Sequence, residues 1–192
     1  MTSALVLENQ RVKLSSLTPE NSDYLLPIAK EPGLVAYSPS YLETPEALRA
    51  YVATAIREKN ENVSIPLIIY DKIAETYAGC TRYMNIDRRN KVLHIGSTWI
   101  GREFHGTGLN THMKFLMLRH AFEKMEFEKV EFRIDERNTR SRKAVEKLGA
   151  SLEGILRKNV YLTDGYKRNT CCYGILLEEW ETIKSDLYQR LN

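Results

Sequence analysis

An α/β domain is the fold class this chain predicts, and three observations lead to it. Segments with strand and helix periodicity alternate from end to end, with no long linker, internal repeat or low-complexity stretch between them. Three strand-like segments, Ser64–Asp71, Thr76–Asn85 and Lys91–Ile100, follow one another with only the turns Lys72–Glu75 and Asp87–Asn90 between, as a meander does. The stretch Trp99-Ile-Gly-Arg-Glu-Phe-His-Gly-Thr-Gly-Leu-Asn110, running into the amphipathic segment Thr111–Glu126, reads as strand, glycine turn and helix start. At 192 residues the chain is long enough for one such domain with a sizeable core, and residues 1–192 are expected to form it.

The other elements can be justified in order. A first strand is expected over Val6–Leu14. Thr18-Pro19-Glu20 then signals a helix start, with a hydroxyl cap, a proline in the first turn and an acid at the positive dipole end. The same signal recurs at Thr44-Pro45-Glu46 and predicts a second helix to about Asn60. Beyond the glycine turn, Leu109, Met113, Leu116, Met117 and Phe122 give the next helix a broad apolar face. Lys129–Asp135 alternates, with Val130, Phe132 and Ile134 against Glu131, Arg133 and Asp135, as a half-exposed strand should. A short helix over Thr139–Leu148 stops at Gly149. Strands at Ser151–Asn159 and Asn169–Ile175 and a closing helix over Glu178–Leu191 complete the order.

Composition narrows the function classes. With 43% hydrophobic and 28% charged residues and a formal charge of +3, the chain has the balance of an ordinary globular protein, and neither a membrane nor nucleic acid is expected as a partner. No apolar run approaches the roughly 18 residues of a membrane span, and Met1-Thr-Ser-Ala-Leu-Val-Leu-Glu lacks the regions of a signal peptide. Cys80, Cys171 and Cys172 have no metal-ligand spacing, so no metal is expected. Adjacent strand residues point to opposite faces and pair poorly, so the cysteines suit a reducing, cytoplasmic setting.

The chemistry begins at the glycine turn. Gly106 and Gly108 can take backbone angles closed to other residues and expose peptide N–H groups, while the first turn of the following helix adds unpaired donors and a positive dipole end. An anion would sit there without any lysine. The turn lacks the Gly-Lys-Ser/Thr ending of nucleoside-triphosphate loops, and no aromatic and basic stripe recommends RNA.

The motifs His105-Gly-Thr-Gly-Leu-Asn110, Asn138-Thr-Arg-Ser141 followed by Lys147-Leu-Gly149, and the set Gly79-Cys-Thr-Arg-Tyr83, Ile95-Gly-Ser-Thr-Trp99 and Asp164-Gly-Tyr-Lys-Arg168, together with the order of elements, resemble the GNAT superfamily of acetyl-CoA-dependent N-acetyltransferases. His105-Gly-Thr-Gly-Leu-Asn110 is similar to its pyrophosphate loop, with His105 where Gln or Arg is usual and Asn110 where Gly or Ala is usual. Asn138-Thr-Arg-Ser141 followed by Lys147-Leu-Gly149 resembles its segment after the fifth strand. Gly79-Cys-Thr-Arg-Tyr83, Ile95-Gly-Ser-Thr-Trp99 and Asp164-Gly-Tyr-Lys-Arg168 resemble the ribosomal-protein N-terminal acetyltransferase-like (Rim) branch, although His94 and Asn169 stand where that branch often has carboxylates.

The resemblance implies a mixed, mostly antiparallel central sheet flanked by helices, with acetyl-CoA in a cleft between splayed fourth and fifth strands. It implies direct attack of a primary amine, on a protein N-terminus or a small molecule, within a ternary complex. Backbone groups of Thr98, Trp99 and Ile100 would pair with the pantetheine arm. The loop His105, Gly106, Thr107, Gly108, Leu109, Asn110 and Thr111 would hold the pyrophosphate. Asn138 and Ser141 would lie along the thiol arm, and from the basic cluster Arg137, Arg140, Arg142, Lys143 and Lys147 the best candidates for the ribose phosphate are Arg142 and Lys143. A homodimer is the assembly it suggests.

Catalytic roles are less well marked. The superfamily's helical Tyr, often the acid, corresponds here to Val145, and Ser141 is the substitute for hydrogen-bonding the departing thiolate. His94 has an ordinary pKa near neutrality and lies in the strand facing the cleft, so it is the candidate base, against the plainer reading of a polar strand residue. Arg82, Tyr83 and Trp99 are candidates for the acceptor side, against the plainer reading of core aromatics and their neighbours. Specificity is expected in Ser38–Leu48 and Tyr161–Arg168. The missing Tyr and Glu leave a second reading, a catalytically silent acyl-CoA-binding regulatory domain.

Overall fold

The computed structural model describes residues 5–191; Met1 to Ala4, which entered the reading of the N-terminus, and Asn192 lie outside the described residues. The described strands β1 (Val6–Glu8), β2 (Val12–Ser16), β3 (Ser64–Asp71), β4 (Thr76–Asp87), β5 (Val92–Ile100), β6 (Lys129–Asp135), β7 (Ser151–Tyr161) and β8 (Lys167–Leu176) form one sheet in the order β1-β2-β3-β4-β5-β6-β8-β7. Every neighbouring pair is antiparallel except β5 with β6, giving the mixed, mostly antiparallel sheet that was expected.

The N-terminus departs from the single strand expected over Val6–Leu14: it is a hairpin of β1 (Val6–Glu8) and β2 (Val12–Ser16). Asn9 causes the break, its Oδ1 accepting from the backbone N–H of both Arg11 and Val12 at 2.9 Å, a side-chain turn that stops strand continuation. The first helix is also broken. Thr18 caps α1 (Pro19–Ser22), a single 3-10 turn follows over Asp23–Leu25, and α2 runs Leu26–Ala29. Pro27 has no N–H to give the preceding turn, so one continuous helix is denied a bond there. Helix α3 (Pro45–Asn60) ends where the sequence predicts, and its cap Thr44 accepts from the Ala47 N–H at 3.1 Å.

The meander β3 (Ser64–Asp71), β4 (Thr76–Asp87) and β5 (Val92–Ile100) lies within two residues of its expected bounds. Helix α4 (Leu109–Glu123) starts directly after Gly108 and stops short of Glu126, which lies in the left-handed region at φ 58°. Then come β6 (Lys129–Asp135), α5 (Thr139–Glu146), β7 (Ser151–Tyr161), β8 (Lys167–Leu176) and α6 (Leu177–Leu191). β7 and β8 form a longer hairpin than the sequence suggested, and β7 is the exposed final edge.

The sheet separates two helical layers. Arg82 on β4 lies over the ring of Tyr51 on α3, at 4.2 Å from its centroid, whereas Tyr83 points the other way and donates its hydroxyl to the Met117 carbonyl of α4 at 2.7 Å. α6 packs on α4 through Trp180, stacked on Phe122 and tilted against Phe115. Between the layers the apolar residues of β2 to β6, β8 and α4 form one buried cluster. Its polar exception near the N-terminal edge is the buried pair Arg11 and Asp71, 2.7 Å apart, whose carboxylate also accepts from the Ile73 and Ala74 N–H groups.

Candidate active site

A cleft opens where β5 and β6 stop pairing. They are in register only at Val92 with Lys129, Leu93 with Val130 and His94 with Glu131; Ile95–Ile100 on β5 then has no partner on the β6 side. On its other side β5 stays paired with β4, through a bulge: Gly96 faces Arg82 and Trp99 faces Cys80, so Ser97 and Thr98 share the space opposite Thr81. Ser97 adopts φ 46°, which re-aims the backbone at the place where the two strands separate. The sequence carries no clear signal for this bulge beyond the Gly-Ser pair.

The glycine turn stands at the end of β5. Gly106 and Gly108 have φ of 78° and 87°, so the turn needs glycine for its backbone angles. A Cβ added at Gly106 would meet nothing within 4 Å, which leaves the concave side open. The N–H groups of Gly106, Thr107, Gly108 and Asn110 donate to no atom of the described chain, so the turn and the first turn of α4 present them together as an anion-binding nest. The Thr107 hydroxyl donates to the Phe104 carbonyl at 2.8 Å and fixes the loop from within. Leu109 is buried beneath the loop as its anchor, and the Thr111 N–H is already used by the Gly108 carbonyl.

His105 has a structural explanation for its departure from the usual residue. Its Nε2 lies 3.0 Å from the Ile100 carbonyl and its Nδ1 lies 2.9 Å from Arg140 Nη1, so Nε2 carries the proton and Nδ1 accepts from the guanidinium. The ring thus joins the end of β5, the glycine turn and α5 across the mouth of the cleft.

On the far wall, Asn138 caps α5, its Oδ1 accepting from the Ser141 N–H at 3.1 Å. The half-buried Ser141 hydroxyl has no hydrogen-bond partner among the described residues. Lys143 is exposed. Arg142 is turned inward, donating to the Tyr173 hydroxyl at 3.0 Å and to the Glu136 carbonyl at 3.2 Å, so two of its five N–H donors are committed within the protein. Val145 is buried.

His94 and Glu131 mark the fork. Nε2 of His94 is 2.8 Å from a Glu131 carboxylate oxygen, and Nδ1 is 3.0 Å from the Asn85 amide. Burial lowers the His94 pKa, and the attraction of Glu131 opposes it without prevailing. Burial pulls Glu131 upward, but His94, Lys129 and Arg133 hold its carboxyl below the ordinary value. Both ring nitrogens are occupied in this arrangement, and a proton reaches Nδ1 only when Asn85 gives way.

On the α3 side of the bulge lies an open cavity of about 460 Å³, lined by Tyr41, Tyr51, Glu58, Arg82, Met84 and Ser97 among others. Arg82 is buried, paired with Glu58 at 3.1 Å and stacked on Tyr51, and it forms part of the cavity wall. Tyr51, absent from the sequence reading, reaches the Ser97 carbonyl at 3.4 Å and the Cys80 thiol at 3.6 Å; burial raises its pKa well above the ordinary value. Tyr83 does not belong here. Its side chain is fully buried on the α4 face, so it offers an acceptor no surface, and its place as an acceptor-side candidate is withdrawn. Trp99 is buried with its ring tilted against Tyr51.

Of the two segments expected to set specificity, Tyr161–Arg168 packs against Tyr37, the residue just before Ser38–Leu48. Arg168 donates to the Tyr37 carbonyl at 2.7 Å, and the Arg137 guanidinium lies 3.7 Å from the Tyr166 ring centroid and 5.6 Å from that of Tyr37. Asn169, next to Arg168 in β8, donates to Glu136 at 2.8 Å.

Residues 11–151 match the model of the acetyltransferase (GNAT) domain. A Bacillus subtilis (strain 168) protein named “Putative ribosomal N-acetyltransferase YdaF” is 31% identical over 117 residues, 61% of this chain, and the chain spans 61% of the length of that curated relative. The crystal structure of a “putative acetyltransferase” from T. thermophilus is 33% identical, with a TM-score of 0.88 over 97% of both chains. The microcin C7 self-immunity acetyltransferase MccE, crystallised with acetyl-CoA and AMP, shares the fold at 18% identity, with a TM-score of 0.78 over 88% of this chain and 93% of its own. With strands that part after three paired residues, a glycine nest at their end and a family match over most of its length, the chain belongs to the GNAT family of acetyltransferases, enzymes that move an acyl group.

Proposed function

We propose that the protein transfers the acetyl group of acetyl-CoA to a primary amine, on a protein N-terminus or a small molecule, by direct attack in a ternary complex. The observation that carries this reading is the pairing of an unzipped β5 edge with a nest of unpaired N–H groups at its end. That edge matches an extended amide-bearing arm, and the nest matches a pyrophosphate. The backbone of Thr98, Trp99 and Ile100 takes the pantetheine, with the Ile100 carbonyl shared with His105. Residues His105 to Thr111 take the pyrophosphate, Asn138 and Ser141 flank the thiol arm, and Lys143 with the remaining Arg142 N–H groups faces the ribose phosphate.

The acceptor enters from the α3 side, where the cavity walled by Arg82, Glu58 and Tyr51 opens beside Ser97. A bound ammonium must lose a proton before it attacks. His94 serves as base through Nδ1, with Glu131 holding the ring and stabilising the imidazolium. A backbone N–H of the bulge region near Trp99 or Ile100 stabilises the oxyanion. The Ser141 hydroxyl hydrogen-bonds the sulfur. The Rim-type likeness favours N-terminal amines, and the cysteines, free in this fold, suit a cytoplasmic setting. The whole chain acts as one domain, since its core is continuous. A homodimer is part of this reading, with the exposed β7 edge as the contact; equilibrium sedimentation should show a dimer that Ile155→Lys returns to monomer.

Thiol release from acetyl-CoA, measured across a panel of small amines and N-terminal peptides, tests the activity. Amine-dependent release that falls roughly 10-fold or more in His94→Gln supports the assignment of the base, since positioned bases contribute about 10²–10⁴. Acetyl-CoA binding without release for any amine would leave a silent binder in its place.

A further inference from the structure

Lys114 stands out because neither the fold nor the coenzyme reading uses it. It lies mid-way along α4 and is 5% exposed. Its Nζ donates to Thr98 Oγ1 at 2.8 Å, and that oxygen shares a second 2.8 Å hydrogen bond with Thr81 Oγ1. The amine also lies 6.0 Å from the centre of the Phe132 ring. It enters no ion pair among the described residues, and two of its three donors have no acceptor among them. A buried ammonium without a counter-ion is costly to keep.

Its position suggests what it faces. Thr98 belongs to the part of β5 that has lost its β6 partner, and Phe132 is the first residue of β6 beyond the last paired position. The amine therefore sits at the floor of the cleft, between the diverging strands, on the α4 side. The acceptor cavity opens on the opposite, α3 side of the same bulge. A thioester held between them would meet the attacking nitrogen from one side and Lys114 from the other.

We propose that Lys114 is the proton donor to the coenzyme A thiolate that leaves during transfer, an inference that rests on reading this cleft as the acetyl-CoA site. The substrate nitrogen forms its bond to the carbonyl carbon, the carbon–sulfur bond breaks with its electron pair on sulfur, and the Lys114 ammonium passes one proton to that sulfur. The proton shed by the new amide nitrogen then restores the ammonium through solvent or the base, so the cycle balances.

Three features support the assignment. Burial pushes the Lys114 pKa down to about 7, which makes it a far stronger acid near neutrality than a serine hydroxyl. The titratable group acting on it is the Cys80 thiol of β4, itself raised by burial to about 12 and so uncharged; Tyr83, on the same face, has its hydroxyl committed to Met117. Third, Val145 is a buried apolar residue that brings no proton to the α5 wall, and Ser141 offers there only a neutral hydroxyl.

Lys114→Met tests the role, because it keeps the volume and removes the proton. The expected result is a kcat at least about 100-fold lower, in the range of a lost acid, with the calorimetric affinity for acetyl-CoA within about threefold of wild type and no loss of Tm. A kcat within about threefold of wild type overturns the proposal, as does a loss explained by weaker acetyl-CoA binding or unfolding. A second readout uses no turnover: NMR titration of the wild-type protein with 13C-labelled lysine side chains. Coenzyme A should move the Lys114 titration by about half a unit or more while desulfo-CoA, which lacks the sulfur, does not. Equal responses to the two, or none, would contradict contact with sulfur. Wild-type transfer with an unaffected Lys114→Met variant would remove this role and leave the acetyltransferase reading intact.

Discussion

Burial works against the charge of Lys114, and the direction of its effect on stability follows from linkage. The unfolded chain holds this proton to about pH 10.5, whereas the folded protein releases it from about pH 7, so between these values the unfolded state binds more protons and stability contributed by this site rises with pH. Lys114→Met should therefore be the more stable protein at about pH 7, and its advantage in Tm should shrink steadily toward about pH 10. An advantage that is flat or grows with pH would contradict the burial of this amine. The sequence did not reveal Lys114, because in Met113-Lys114-Phe115 a lysine reads as the polar stripe of an amphipathic helix, and α4 is in fact enclosed by the sheet on one side and α6 on another. His94 was legible as a histidine near the cleft. Its Glu131 partner was not, since that contact depends on the parallel register of strands separated by the whole of α4.

At the scale of elements, the local signals with a backbone mechanism were the readable ones. Both Thr-Pro-Glu starts are capped as expected, and Gly106 and Gly108 take the positive φ that the turn demanded. Thr44→Ala should cost about 1 kcal/mol, lowering Tm by roughly 2–4 °C with acetyl-CoA affinity unchanged, because the lost hydrogen bond is internal to the first turn of α3. Gly108→Val should do the reverse. A β-branched residue at φ 87° distorts the turn and the start of α4, so acetyl-CoA affinity should fall at least about 10-fold while the far-ultraviolet spectrum keeps its shape. The bulge at Ser97 and the hairpin break at Asn9 were not legible. Each depends on one residue choosing between equally available local conformations, and tertiary pairing decides the choice.

For the whole molecule, the order of elements carried the sheet, and the cleft follows from it. A single parallel neighbour pair, β5 with β6, is what the α4 crossover imposes, and the right-handed twist of the sheet then lets the two strands part beyond their third pair. Everything assigned to the coenzyme lies along that parting: the β5 edge, the glycine nest at its mouth, the α5 cap opposite and Lys114 beneath. The acceptor side we propose draws its walls from distant segments, α3, β4 and β5, so no short stretch of sequence encodes it. Isothermal titration of the purified protein with acetyl-CoA, desulfo-CoA and ATP in parallel tests the coenzyme cleft most directly. Saturable heat is expected with both coenzyme A compounds, little with ATP, and a marked weakening of both in Gly108→Val. No heat with either coenzyme A compound, or equal binding of ATP, would contradict the assignment of this cleft.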